Sequence, residues 1–200
     1  MAPKRLLLFG GTFDPPHNGH MALLSNAISR VRPDKTLVLP DYLPPHKAEG
    51  ELPPGERLAM CRCFLELDGS VELDGREVRR QGKSYTVDTV RELKKEYPGW
   101  RFYFVLGSDM LLTFDEWREW KQLLRAMTLV CQRRENGHDE ALQKKAAFLR
   151  ENGGRILFCG GPPVVLSSTF LRGQLKQGAD ISALVPQTVA RRLAGDKEPL

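Results

Sequence analysis

Cysteine is scarce in this chain and is not spaced for chemistry. The four cysteines, Cys61, Cys63, Cys131 and Cys159, form no Cys-x-x-Cys pair and match no Cys/His spacing of a zinc site. A structural zinc module is disfavoured, Cys131 and Cys159 read as small core residues in apolar runs, and a reducing compartment is expected. Long hydrophobic stretches are missing too. The run after the basic N-terminal residues covers only Leu6 to Phe9, whereas a secretory leader needs roughly 7–15 apolar residues and a membrane span about 20. The expectation is a cytoplasmic protein with no membrane partner. Internal repeats, low-complexity tracts and a linker are also absent, so the 200 residues read as one domain, 1–200, with a helical C-terminal part at 165–195. Charge of one sign is in mild excess: the net charge is +5, with 28% charged and 41% hydrophobic residues. That balance belongs to a globular chain. The basic residues are dispersed without a run of five, which suits a small anionic ligand and leaves nucleic acid as no expected partner. Composition leaves a homo-oligomer open.

What is present is an alternation of short apolar runs with amphipathic stretches. Leu6-Leu7-Leu8-Phe9, closed by Gly10-Gly11, has the continuous hydrophobicity of a strand buried on both faces. Met21, Leu24, Ile28 and Val31 then follow helical spacing up to Pro33-Asp34, and Thr36 to Leu39 supplies a second strand. This β-α-β unit predicts an α/β, Rossmann-like, doubly wound parallel sheet. The Pro-rich segment from Asp41 to Gly55 reads as a loop on the binding rim. A helix is expected from about Glu56 to Leu67, a weak strand at Val71–Leu73, and a helix through Val87, Val90, Leu93 and Tyr97. Ser84 or Thr86 is the expected cap of that last helix, and Pro98-Gly99 its stop. Further strands are expected at Phe102–Leu106, Met127–Cys131 and Ile156–Cys159, and a helix face at Leu142, Ala146 and Leu149. Ser167-Ser168-Thr169 reads as a capped helix start, and Pro186 opens a last helix.

In open α/β sheets ligands bind beyond the carboxyl ends of strands, where strand order reverses. With order 3-2-1-4-5, that point lies between the loop from Gly10 to His20 and the loop Gly107-Ser108-Asp109. The first loop is not the dinucleotide fingerprint, and no Gly-x4-Gly-Lys-Ser/Thr motif occurs. Hydride transfer and P-loop phosphoryl transfer are both disfavoured. Gly10 and Gly11 instead allow backbone N–H groups to approach a phosphate. His17 and His20, three residues apart as a helix begins, face one side of an end that attracts anions. Gly19 keeps the helix surface low between them.

Gly11-Thr12-Phe13-Asp14-Pro15-Pro16-His17-Asn18-Gly19-His20 resembles the G-x-F-x-P-x-H-x-G-H signature of the HxGH nucleotidyltransferases, and Ser167-Ser168-Thr169-Phe170-Leu171-Arg172 resembles their second signature, S-S-T-x-x-R. Pro44-Pro45-His46-Lys47, Ser84-Tyr85-Thr86-Val87-Asp88-Thr89, Gly107-Ser108-Asp109, Trp117 and Gln132-Arg133 fall in the order seen in bacterial nicotinate-mononucleotide adenylyltransferases. That resemblance implies adenylyl transfer from ATP to nicotinate mononucleotide, giving deamido-NAD and pyrophosphate, with magnesium carried on the substrate phosphates. It implies catalytic roles for His17, His20, Lys47 and Arg172. It places ATP against Gly10, Gly11, Thr12, Phe13, Gly107, Asp109, Ser168 and Thr169, and the acceptor against Thr12, Lys47, Tyr85, Thr86, Asp109, Trp117 and Arg133. No carboxylate cluster suggests a dedicated metal cage, so no residue is assigned as a metal ligand. Where the family shows Pro-Gly after Arg133, this chain has Arg134-Glu135-Asn136-Gly137, which leaves Arg133 and Arg134 as alternative ligand contacts. Three other readings stand beside this one. The same chemistry could act on nicotinamide mononucleotide. Phosphopantetheine as acceptor ranks lower, because those enzymes are typically shorter and carry threonine where His17 stands. A catalytically silent nucleotide-binding module is the third.

Overall fold

The computed structural model describes residues 2–45, 51–132, 139–161 and 166–196. In chain order the elements are β1 (Arg5–Gly11), α1 (Asn18–Val31), β2 (Lys35–Pro40), α2 (Pro54–Met60), β3 (Val71–Leu73), α3 (Arg76–Arg80), α4 (Thr86–Glu96), β4 (Arg101–Leu106), α5 (Ser108–Leu112), α6 (Trp120–Ala126), β5 (Met127–Gln132), α7 (Asp139–Glu151), β6 (Arg155–Cys159), α8 (Ser168–Lys176) and α9 (Gln187–Leu193). The six strands form one sheet in the order β3-β2-β1-β4-β5-β6, and every pairing is parallel. The doubly wound class and the central 3-2-1-4-5 order expected from sequence are therefore observed.

The continuous apolar runs follow from this layering. Side chains alternate across a strand, so Leu6 and Leu8 join Leu37, Leu39, Phe102 and Phe104 on one face, under α4, α6 and α7. Leu7 and Phe9 join Val38 and Val105 on the other, under α1. The chain from α8 onward adds Leu171, Ile181, Val185 and Val189 to that second cluster. The C-terminal helices thus share the core beneath α1, which carries them to the end of the sheet where β1 stops.

Two local departures from these expectations have physical causes. The helix expected over residues 56–67 is α only to Met60 and tightens to a 3-10 turn over Cys61–Glu66, burying Cys61, Cys63 and Phe64. Neither Ser84 nor Thr86 caps α4. Tyr85 holds the cap position without a side-chain bond, Thr86 is the first helical residue, and the Ser84 hydroxyl instead accepts the Tyr42 N–H at 3.0 Å. Around Trp117 the chain makes a 3-10 turn at Phe114–Glu116, runs extended at Trp117, and enters α6 only at Trp120.

Candidate active site

The turn after β1 is built around Phe13. Its backbone is left-handed (φ 49°), a costly conformation for a bulky side chain, and its ring is buried against Phe9, Phe64 and His20, with centroids 5.2 Å from each. A Cβ on Gly11 would come within 2.9 Å of that ring, whereas one on Gly10 would make only ordinary contact with Phe104. Gly11 is thus required by the folded-back Phe13. Both glycines lie inside β1, opposite Leu39 and Pro40.

The chain then enters α1 through His17. Its Nδ1 accepts the His20 N–H and the His20 Nδ1 accepts the His17 N–H, both at 3.3 Å, a capping box made of two histidines. The rings stack with centroids 3.6 Å apart and planes 19° from parallel. His17 is 4% exposed, and burial lowers its pKa from 6.5 to about 4. With Nδ1 committed as an acceptor, the neutral His17 ring carries its proton on Nε2. A buried, neutral His17 imidazole with its proton on Nε2, stacked on His20 at a helix N-terminus, can bind an anion without itself carrying charge.

Arg172, on α8, closes this loop from the other side. Its Nη1 donates to the Asp14 carbonyl at 2.8 Å and lies 3.7 Å from the Asp14 carboxylate; its Nη2 donates to Thr169 Oγ1. Nε sits 3.3 Å from Glu51 Oε1 without hydrogen-bond alignment. Ser168 Oγ donates to the Pro15 carbonyl at 3.0 Å, while Ser167 caps α8 by accepting the Phe170 N–H. The Asp14 carboxylate accepts the N–H groups of Glu51 and Leu52. The two signatures, 158 residues apart at Asp14 and Arg172, meet in one place.

Beneath them lies a residue that sequence reasoning missed. Arg57 is 1% exposed. Its Nη1 donates to the Thr12 carbonyl at 2.6 Å and to Asp41 Oδ1, its Nη2 to the Tyr42 carbonyl, and its Nε to the Leu52 carbonyl. Asp41 also accepts the Thr12 hydroxyl at 2.8 Å. One guanidinium therefore ties the segments after β1, after β2 and before α2 to each other. Its signal was an arginine sharing a helical face with Met60 and Phe64, both buried. Next to this group, Glu77 is buried, accepts the Thr89 hydroxyl, and has its pKa raised by burial.

The register of Leu8 against Phe104 sets Gly11 and Gly107 level, three residues beyond each partner, so both loops lie at the switch point. Gly107 caps the short α5, Ser108 is buried and Asp109 exposed. Tyr85 lies under the Arg118 guanidinium, 4.7 Å from its ring. Neighbouring Trp117 packs half-buried against Phe104 and Phe114. The structure therefore brings Thr12, His17, His20, Ser168, Thr169 and Arg172 together, with Tyr85 and Trp117 as a second group on the α4 side of the sheet. Lys47, Arg133 and Arg134 lie outside the described residues. Among the described residues no three His, Cys, Asp or Glu side chains converge as a metal cage.

Comparison with known proteins finds relatives along almost the whole chain. A family model described as cytidylyltransferase-like matches residues 8–182. A probable nicotinate-nucleotide adenylyltransferase of Symbiobacterium thermophilum is 36% identical over 195 residues, covering 95% of this chain and 92% of the relative. The nicotinate-nucleotide adenylyltransferase of Bacillus subtilis is 30% identical over 189 residues, covering 94% of each. Among solved structures, a Plasmodium falciparum nicotinic acid mononucleotide adenylyltransferase complexed with NaAD shares the fold with a TM-score of 0.75 at 21% identity, covering 96% of this chain and 95% of the other.

Proposed function

The chain belongs to the nicotinate-nucleotide adenylyltransferases of the cytidylyltransferase-like family, and from that membership we propose how its residues perform adenylyl transfer from ATP to nicotinate mononucleotide. An acceptor phosphate oxygen attacks the α-phosphorus, the bond from that phosphorus to the bridging α–β oxygen breaks, and pyrophosphate leaves with the electron pair. A phosphate monoester has its second pKa near 6 and is already mostly dianionic at neutral pH. No general base is needed. The protein's task is alignment and stabilisation of charge on the transferring and leaving phosphates.

The observation that supports this reading best is the pair of stacked histidines whose Nδ1 atoms are both taken by backbone N–H groups. The His17 Nε2–H donor is oriented before ATP arrives, so its share in stabilising the transition state needs little reorganisation. Arg172 supplies the forked cation at the β/γ end, and Ser168 and Thr169 add hydroxyls beside it. Tyr85, Thr86, Asp109 and Trp117 form the acceptor side. Lys47 and Arg133 are assigned by family likeness alone. Magnesium enters on the triphosphate, where it neutralises charge. The four free cysteines are all buried and no helix among the described residues is long and apolar enough to cross a membrane. The free thiols suit a reducing compartment, the cytosolic location proposed here.

The test is pyrophosphate release from ATP and magnesium with nicotinate or nicotinamide mononucleotide as acceptor. Faster turnover of the nicotinate form is expected. Preference for the nicotinamide form would overturn the acceptor, and release with neither from ATP-binding protein would overturn the reaction.

A further inference from the structure

At the opposite end of the sheet from the catalytic loops, the amino ends of β4, β5 and β6 and the carboxyl ends of α4, α6 and α7 enclose a cleft of about 770 Å³. Five cations line it: Lys94, Arg101, Arg125, Arg150 and Arg155. No Asp or Glu stands among the described lining residues, and none of the five makes an ion pair among the described residues. Some cations elsewhere are matched, Arg57 with Asp41, Arg76 with Asp74 and Glu96, Lys145 with Asp115, Arg192 with Glu56; what sets this cleft apart is the grouping of five around one concavity with no carboxylate in its described lining.

Basic residues at helix carboxyl ends have an ordinary structural use, which is to offset the helix dipole. Here that use is too small to account for the charge. Three helix ends contribute roughly half a negative charge each, about −1.5 in all, against five positive side chains. Arg101 and Arg155 also begin strands rather than end helices. Three of the cations are held in place by neutral groups. Arg155 Nε donates to Thr128 Oγ1, Arg150 Nη2 to the Ile156 carbonyl, and Lys94 Nζ stands 4.2 Å from the Phe102 ring centroid. Burial and the nearby Arg155 together lower the Lys94 pKa, the mark of like charges kept close.

We infer that this cleft is a second anion site, which takes a linear polyphosphate through Lys94, Arg101, Arg125, Arg150 and Arg155. Its concave shape and volume fall within the range of roughly 300–1,000 Å³ seen for small-molecule pockets. A duplex would need a longer basic stripe. A bare polyphosphate and one carried on a nucleoside share this chemistry of recognition.

The test is titration of the full chain with sodium tripolyphosphate while the indole N–H resonance of Trp100, a lining residue identified by its loss in Trp100→Phe, is followed by NMR. The Trp100 signal should move with a saturable, salt-sensitive response. The double variant Arg101→Ser/Arg125→Ser, at two exposed positions, should need about tenfold or more tripolyphosphate for the same shift, given the strength of charge-assisted bonds. It should keep its adenylyl-transfer rate. Lys94→Gln provides an independent variant with the same expected direction. Tighter binding of ATP than of tripolyphosphate at Trp100 would identify a nucleoside source, and equal binding a bare one; both support the site. An unmoved Trp100 signal at millimolar tripolyphosphate overturns the inference. So do variants that titrate like wild type, or a response to duplex DNA but not to tripolyphosphate.

Discussion

Burial keeps the His17 imidazole uncharged down to about pH 4, and its Nδ1 is engaged by the His20 N–H. Between pH 6.5 and 4 the unfolded chain binds a proton at this position that the folded chain does not. The stability linked to His17 is therefore complete above pH 6.5 and is lost as pH falls toward 4, a difference of about 3 kcal/mol. Urea midpoints measured across that window should decline in the wild type. His17→Asn, which keeps a good capping residue, should decline less by that amount. On the role proposed for His17, the same substitution would deprive the phosphates of a fixed donor, and turnover should drop by about 10²–10³-fold. A drop in ATP affinity with turnover unchanged would make the ring a binding group only.

At the level of elements, the turn after β1 joins packing to catalysis. Phe13 touches His20 on one side and Phe9 and Phe64 on the other, so it cannot yield without moving a histidine of the site. Gly11→Ala should therefore destabilise the protein by about 1–3 kcal/mol, as overpacking does, and reduce turnover at temperatures where the protein remains folded. Paired thermal melts and initial rates check this; unchanged rates in a folded variant would contradict the coupling. The His17–His20 pair was legible in the sequence because its geometry is local: three residues apart on one helix end. Ser84 was read as a cap because it stands two residues before α4, yet its hydroxyl answers Tyr42, 42 residues away. The helix expected to reach Leu67 shortened for a similar reason, since Cys61, Cys63 and Phe64 are all buried at once in the 3-10 turn. Each of these depends on a partner distant in sequence, which local pattern does not encode.

For the whole molecule, Arg57 is the clearest case. Its acceptors belong to Thr12, Asp41, Tyr42 and Leu52, and only the completed fold gathers them. Removal of one partner from a buried ion pair costs about 3–5 kcal/mol. Arg57→Met should lose stability of that order in chemical denaturation, and Arg57→Lys should recover little, because a single ammonium cannot replace a planar fork with three donor nitrogens. Full recovery by lysine would show that charge alone suffices. The doubly wound architecture itself was readable, since every strand except short β3 announced itself by a continuous apolar run.

The meeting of Asp14 with Arg172 also sets an order in time. A ribosome adding about 5–20 residues per second needs roughly 8–30 s to make the 158 residues that separate them. During the earlier part of that interval β1 has only β2 beside it, because its other neighbour, β4, begins at Arg101. A nascent chain therefore carries His17 and His20 long before the arginine that closes their loop, with one edge of its central strand open to wrong partners. The loop after β1 therefore stays unclosed by Arg172 until α8 has been made.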